Sequence, residues 1–237
     1  MFHAPDFVCW SSNRATKAAA KSAGESCMNI LHIDCSPRLG SHSRKLSAGI
    51  VEKIQTLLPG AEVRRRDLGL EPIPHLGAAY ADVLSTPATL AAAGRTAGAV
   101  LFAEELIQEV EDSDVIVIGT PMNNLTVPSV LKAWIDQLIR VGRTMQSTPA
   151  GKVGMLRDRP VFVGIASGGV FTGERANQPD FLTPYLSAVL ACIGFTTIHY
   201  LPLQATAFLD EDQSAQLRAS LIASIEPLLT SLACSHV

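Results

Sequence analysis

The 237-residue chain is 47% hydrophobic and 17% charged, with a formal net charge of −3; this composition can bury a sizeable core and excludes a disordered polymer. The length suits one generous domain, or a domain with trimmings. Scattered basic residues exclude a broad nucleic-acid footprint, and no apolar run approaches the roughly 20 residues needed to cross a bilayer. The one basic run, Arg64-Arg65-Arg66, falls in a weak edge strand and reads as a solvated face. Cys9, Cys27, Cys35, Cys192 and Cys234 are odd in number, widely spaced and without a CxxC pair. They point to reduced thiols in a cytoplasmic protein, not to a disulfide framework or a zinc site.

Residues 1–27 differ from the rest. Ser11 to Ser26 is rich in Ala, Ser and Lys and has no secretory apolar region. The expectation is a flexible extension, or an upstream start preceding a functional start at Met28, with a targeting role as the other reading. From Met28 to the end, residues 28–237 read as one domain.

Strand and helix then alternate. Ile30 to Asp34 is a short buried strand. Ser43 to Leu58 is helical, with Leu46, Ile50, Ile54 and Leu57 on one stripe, and Pro59-Gly60 ends it. Glu62 to Leu68 is a weaker strand, and Leu70 to Gly98 is an irregular, proline-containing excursion. Val100 to Val110 is helical. Asp114 to Gly119 is a continuous apolar strand of the kind covered by helices on both faces.

Leu131, Trp134, Ile135, Leu138 and Ile139 form the best amphipathic stripe in the chain, and Pro128 suits a first helical turn. Val141 to Arg159 is a second polar excursion. Pro160 to Ile165 is a central strand, and Leu182, Leu186, Val189, Leu190 and Ile193 line a helix that stops at Gly194. Phe195 to Leu203 is the last strand. Leu217, Leu221, Ile225, Leu228 and Leu232 line one closing helix. Five strands interleaved with five helices predict an α/β fold: a flavodoxin-like, doubly wound parallel sheet of order 2-1-3-4-5. The loops after strands 1, 3 and 4 then meet at its carboxyl edge, where open α/β sheets bind ligands.

Those loops carry the candidate chemistry. The first has neither GxGxxG nor GxxxxGK[ST], which disfavours a dinucleotide site or a nucleoside triphosphatase. It does offer the hydroxyls of Ser36, Ser41 and Ser43 and the backbone of His42 at a helix start. That end can hold a phosphate monoester; alternatively, Ser41 or Ser43 simply caps the helix. The second loop can lay the Met122 side chain and the backbone of Asn123, Asn124 and Leu125 against a flat ring, or be an ordinary capped turn. In the third, Ala166-Ser167-Gly168-Gly169 admits close approach to the backbone, or is a flexible turn. Together, a phosphate at one end and a planar heterocycle at the other describe flavin mononucleotide (FMN), with the redox chemistry resident in the cofactor.

No protein catalytic constellation stands out. Cys35 lacks a partner base and reads as a packed thiol. His32 and His199 sit in strands and read as core or edge residues, His75 as solvent-facing and Asp136 as a surface charge. No HExxH or Cys/His metal spacing occurs.

Cys35-Ser36-Pro37-Arg38 with Ser41-His42-Ser43, Thr120-Pro121-Met122-Asn123-Asn124-Leu125 running into Leu131-Lys132-Ala133-Trp134-Ile135-Asp136-Gln137, and Ser167-Gly168-Gly169 together resemble the FMN-dependent NADH-azoreductase family, the bacterial branch of the flavodoxin-like quinone reductases. Thr183-Pro184-Tyr185-Leu186 and Ile193-Gly194-Phe195 also fit that family's pattern, and the resemblance runs from Met28 to about Ser231. It implies a homodimer with one FMN per subunit at the subunit interface. It also implies ping-pong turnover between NADH or NADPH and a quinone, azo or nitroaromatic acceptor, with FMN contacts at Ser36, Ser41 to Ser43, Met122 to Leu125 and Ala166 to Gly169. The family usually has Tyr and Phe where this chain has Asn123 and Leu125, so quinone reduction is expected to outpace azo-dye reduction. An NAD(P)H:FMN or nitro/chromate reductase and an FMN electron-transfer protein of the same fold are the rival readings.

Overall fold

The computed structural model describes residues 27–78, 80–81 and 98–236; the leader and much of the first excursion lie outside them. Five parallel strands form the main sheet in the order β2-β1-β3-β6-β7: β1 (Asn29–Asp34), β2 (Glu62–Asp67), β3 (Val115–Pro121), β6 (Val161–Ala166) and β7 (Ile198–Leu203). Counting these five alone gives the expected order 2-1-3-4-5. The numbering skips because the second excursion is not irregular. It folds into an antiparallel hairpin of β4 (Met145–Thr148) and β5 (Gly151–Gly154) outside the main sheet. Its short, polar strands bury little on either face, so the sequence carried no alternating signal for them.

Strand residues alternate between two cores, as a period of two requires. On β3, Ile116 and Ile118 face one cluster while Val115 and Val117 face the other. The first cluster is closed by α2 (Gly98–Glu111), α3 (Ser129–Leu138) and α4 (Thr183–Ile193) through Leu106, Ile107, Trp134, Ile135, Leu186 and Leu190. The second is closed by α1 (His42–Leu57) through Leu46, Ile50 and Ile54. The predicted stripes on α1 and α3 are therefore the core faces.

The closing helix is two helices, α5 (Glu211–Ser224) and α6 (Glu226–His236). A proline at 227 tolerates only a first-turn position, so the chain restarts there. The restart rotates the predicted stripe: Ile225 and Leu229 are buried, while Leu217 and Leu228 are exposed. The basic run on β2 is solvent-accessible, as expected, but is also ion-paired. Arg65 bonds Asp34 on the neighbouring strand, and Arg66 pairs with Glu105 and Glu109 of α2. An edge strand one position from the core lets long basic side chains reach carboxylates on both sides.

Candidate functional site

The sheet register brings the three singled-out loops together. Asp34 at the end of β1 lies opposite Gly119, and Pro121 at the end of β3 lies opposite Ala166. Beyond the strand ends the pairing continues: the Cys35 N–H donates to the Gly119 carbonyl at 2.9 Å, and the Met122 N–H donates to Ala166 at 2.9 Å. The loops are neighbours because adjacent parallel strands all point their carboxyl ends the same way.

In the first loop, Ser41 caps α1. Its Oγ accepts from the Arg44 N–H at 3.3 Å and lies 3.3 Å from the Ser43 Oγ. Ser36 Oγ accepts from the Arg38 N–H at 3.3 Å. The cap uses one first-turn donor, whereas the N–H groups of His42 and Ser43 belong to a turn with no intrahelical acceptors. Ser41 can therefore cap the helix while the helix start still offers donors to an anion. His42 Nδ1 is buried and has no hydrogen-bond partner among the described residues. An orphaned imidazole nitrogen at a helix N-terminus fits an added polar group such as a phosphate oxygen.

Sequence reasoning missed what holds this loop. Arg44, buried at the start of α1, donates through Nε and a terminal nitrogen to the Ser36 carbonyl at 2.8 and 2.6 Å. The same guanidinium binds both oxygens of Asp67, at 2.7 and 2.5 Å, and lies 3.4 Å from Asp34. The Asp67 hydrogen bonds, opposed by burial, hold Arg44 firmly charged. Burial raises the pKa of Asp34, but the bonds from His32, Arg65 and Ser47 more than offset it and bring it down to about 2. The signal was present: a cation in the first turn of a helix opposes the macrodipole, so an arginine there implies an anionic partner.

The second loop is a tight reversal. Asn123 and Thr126 exchange N–H to carbonyl bonds at 3.0 and 3.1 Å, and the two residues between them have positive φ, 48° at Asn124 and 72° at Leu125. This is the geometry of a type I′ turn. Asparagine tolerates it; leucine normally avoids it. Asn123 and Asn124 are exposed, and Met122 and Leu125 are half-buried.

The third loop rests on the turn after β7, where the Thr206 N–H and hydroxyl both donate to the Ser167 carbonyl at 3.0 Å. Ser167 is buried and Gly168 exposed. A Cβ on Gly168 would meet only the Ala207 side chain, at 3.5 Å, so the backbone there is open to a ligand. Two further residues missed from sequence hold these loops, Gln178 bridging the second to the third and Phe181 fastening the second. Gln178 Nε2 donates to Ser167 Oγ at 2.8 Å and lies 3.3 Å from Met122 Sδ. Phe181 donates its N–H to the Leu125 carbonyl at 3.1 Å, and its own carbonyl accepts from Thr126 Oγ1 at 3.3 Å. Gln178 lies near no recognisable motif, and Phe181 precedes Thr183-Pro184-Tyr185-Leu186 without belonging to it, so only folding reveals their contacts.

The other titratable candidates have structural partners. Cys35 is fully buried, and desolvation together with nearby Asp34 pushes its thiol up, away from a nucleophilic thiolate. His32 Nε2 lies 3.0 Å from Ser47 Oγ, and His199 stacks on Phe162. His75 is exposed, and Asp136 pairs with Lys132 one helical turn away. Among the described residues no cluster could hold a metal, and no helix is long and apolar enough to cross a membrane.

A doubly wound parallel sheet with its ligand-competent loops gathered at the carboxyl edge defines a flavodoxin-like α/β protein. The model of the family described as having a flavodoxin-like fold matches residues 28–226. The FMN-dependent NADH:quinone oxidoreductase 4 of Pseudomonas fluorescens is 45% identical over 211 residues, 87% of this chain and 99% of its own. The FMN-dependent NADH:quinone oxidoreductase 5 of Burkholderia lata is 45% identical over 181 residues, 76% of this chain and 86% of its own. Among solved structures, an FMN-dependent NADH-azoreductase from Bacillus anthracis, crystallised in complex with FMN, superposes with a TM-score of 0.70 at 23% identity, covering 87% of this chain and 99% of that one. The chain belongs to the flavodoxin-like fold family, in the branch of the FMN-dependent NADH:quinone oxidoreductases.

Proposed function

We propose that this protein is an FMN-dependent NADH:quinone oxidoreductase that passes two electrons from a reduced nicotinamide to a quinone or aromatic azo acceptor by ping-pong turnover. The observation that carries the reading is the meeting of three loops, distant in sequence, at one sheet edge, in a chain 45% identical to enzymes of that name. The bound FMN supplies the two-electron redox chemistry. The protein supplies position. The start of α1, with Ser36, Ser41, His42 and Ser43, would hold the phosphate. Met122 and the reversal at Asn123, Asn124 and Leu125 would border one side of the ring, and Ala166 to Gly169 would approach it through backbone groups. The protein's contribution to rate would be to hold that ring where donor and acceptor can reach it in turn. No protein acid or base is assigned.

The site is completed by a second copy of the chain in this reading. Leu39 in the first loop, Phe181 beside the second and Phe208 beside the third are 74%, 57% and 80% exposed. Apolar side chains bordering one site on three sides suit burial against a partner subunit. A cytoplasmic location agrees with the free thiols at Cys27, Cys35 and Cys192.

The test begins with colour. The purified protein should be yellow or bind added FMN, and should bleach anaerobically with NADH and regain colour with benzoquinone. Failure to bind FMN sinks the reading. With Asn123 and Leu125 in place of rings, benzoquinone should turn over faster than an azo dye; equal efficiency would refute that specificity.

A further inference from the structure

The second and third loops meet through a segment that no part of the proposed reading uses. It begins where Asn177 pairs with Val170, its N–H donating to the Val170 carbonyl at 2.8 Å and its Oδ1 accepting from the Val170 N–H at 3.1 Å. It ends at Asp180, whose Oδ1 accepts from the Leu182 and Thr183 N–H groups at 2.9 Å and so fixes the start of α4. Between these anchors the backbone has little freedom, and the Gln178 side chain is aimed back at the site.

Both ends of that side chain are used. Its amide nitrogen has two protons, one directed to Ser167 Oγ at 2.8 Å and the other available to Met122 Sδ at 3.3 Å. Its oxygen occupies the space over Gly169, where a Cβ would stand 2.6 Å away. An unbranched methionine with three rotatable bonds is the most adaptable apolar side chain. Here a donor pins its sulfur to a serine that is 2% exposed.

We infer that Gln178 is a positioning residue that clamps Met122 to the third loop, and that Gly169 is glycine to admit the Gln178 amide. The inference rests on the FMN reading for its consequence: a pinned Met122 presents a preformed wall to the ring, so the ordering cost falls outside the binding step.

Four apoproteins test it: wild type, Gln178→Ala, Gly169→Ala and the double variant, each titrated with FMN by quenching of flavin fluorescence and each melted without ligand. Gln178→Ala should weaken FMN binding about tenfold, with the apoprotein melting temperature lowered by no more than about 4 °C. Gly169→Ala should cause a similar loss alone and no further loss in the Gln178→Ala background, since the atom it displaces is then gone. In apoprotein labelled at methionine methyls, the Met122 resonance should be that of one rotamer in the wild type and averaged in Gln178→Ala. Gln178→Met, which keeps bulk without donors, should reproduce the affinity loss and serves if the alanine variant does not fold. Unchanged FMN affinity in Gln178→Ala, an equal Gly169→Ala cost in both backgrounds, or an unaltered Met122 signal would each overturn the inference. A wild type that binds no FMN removes the flavin reading and this inference together; a wild type that binds while the variants match it removes only this inference.

Discussion

At the first loop, the Arg44 guanidinium spans the Ser36 carbonyl, both oxygens of Asp67 and the edge of Asp34. Across the site, the second and third loops are joined by neutral groups: a glutamine amide, a serine hydroxyl, a thioether and main-chain bonds. Both arrangements fix a loop at the same sheet edge. They fail differently. A buried charge is costly to leave alone, so the first loop is held all-or-none and depends on pH. Neutral contacts are individually modest, so the other two loops are held by conformation and can be tuned in small steps.

The comparison breaks most sharply at Arg44. Arg44→Ala leaves Asp34 and Asp67 without their buried cation and frees the Ser36 carbonyl. The expected loss is about 3–5 kcal/mol of stability, read from urea midpoints, and FMN binding should weaken with it. A small loss would mean that Arg65 substitutes for it.

Acid separates the two sides next. The folded-state pKa of Asp34 is depressed from 3.8 to about 2. Its contribution is therefore complete above 3.8 and is lost as pH falls through about 2, up to about 2 kcal/mol in all. Urea unfolding at about pH 5 and about pH 2.5 should show this decline, and Asp34→Asn should flatten it while lowering stability at neutral pH. A wild type and variant with parallel pH profiles would place the acid sensitivity elsewhere, for instance at Asp158, also depressed to about 2.

The neutral side answers to backbone geometry. Leu125 stands at φ 72°, and Leu125→Gly would create an Asn-Gly pair, the preferred type I′ sequence. It should raise stability by about 0.5–1 kcal/mol, while Leu125→Val should lower it by about 1–2 kcal/mol because a branched Cβ fits that region worst. Equal urea midpoints for the two would show that the turn relaxes freely.

The smallest effect is expected at His42. His42→Ala should weaken FMN binding severalfold and leave riboflavin binding unchanged, because His42 opens α1, the end assigned to the phosphate, and its buried Nδ1 has no partner among the described residues. Equal losses for both ligands would remove the imidazole from the phosphate end.

Much of this was readable in advance, for a physical reason. Apolar runs such as Val115 to Ile118 and the Leu131, Trp134, Ile135, Leu138 stripe are periodic because a sheet covered on both faces leaves such strands and helices no other pattern. Strand order followed from alternation and handedness, and with it the edge at which Ser36, Met122 and Ser167 gather. Proline, glycine and serine marked the turns themselves. What stayed hidden depends on partners far along the chain. The β4–β5 hairpin buries only Met145 and so imprints no alternating pattern, and Pro227 divides the final helix through a backbone constraint that the leucine spacing conceals. Arg44 reaches 23 residues to Asp67, and Gln178 reaches 56 residues to Met122. A cation in a first helical turn asks for an anion and a glutamine for any acceptor, but which acid or sulfur comes within hydrogen-bond distance is decided only by three-dimensional packing.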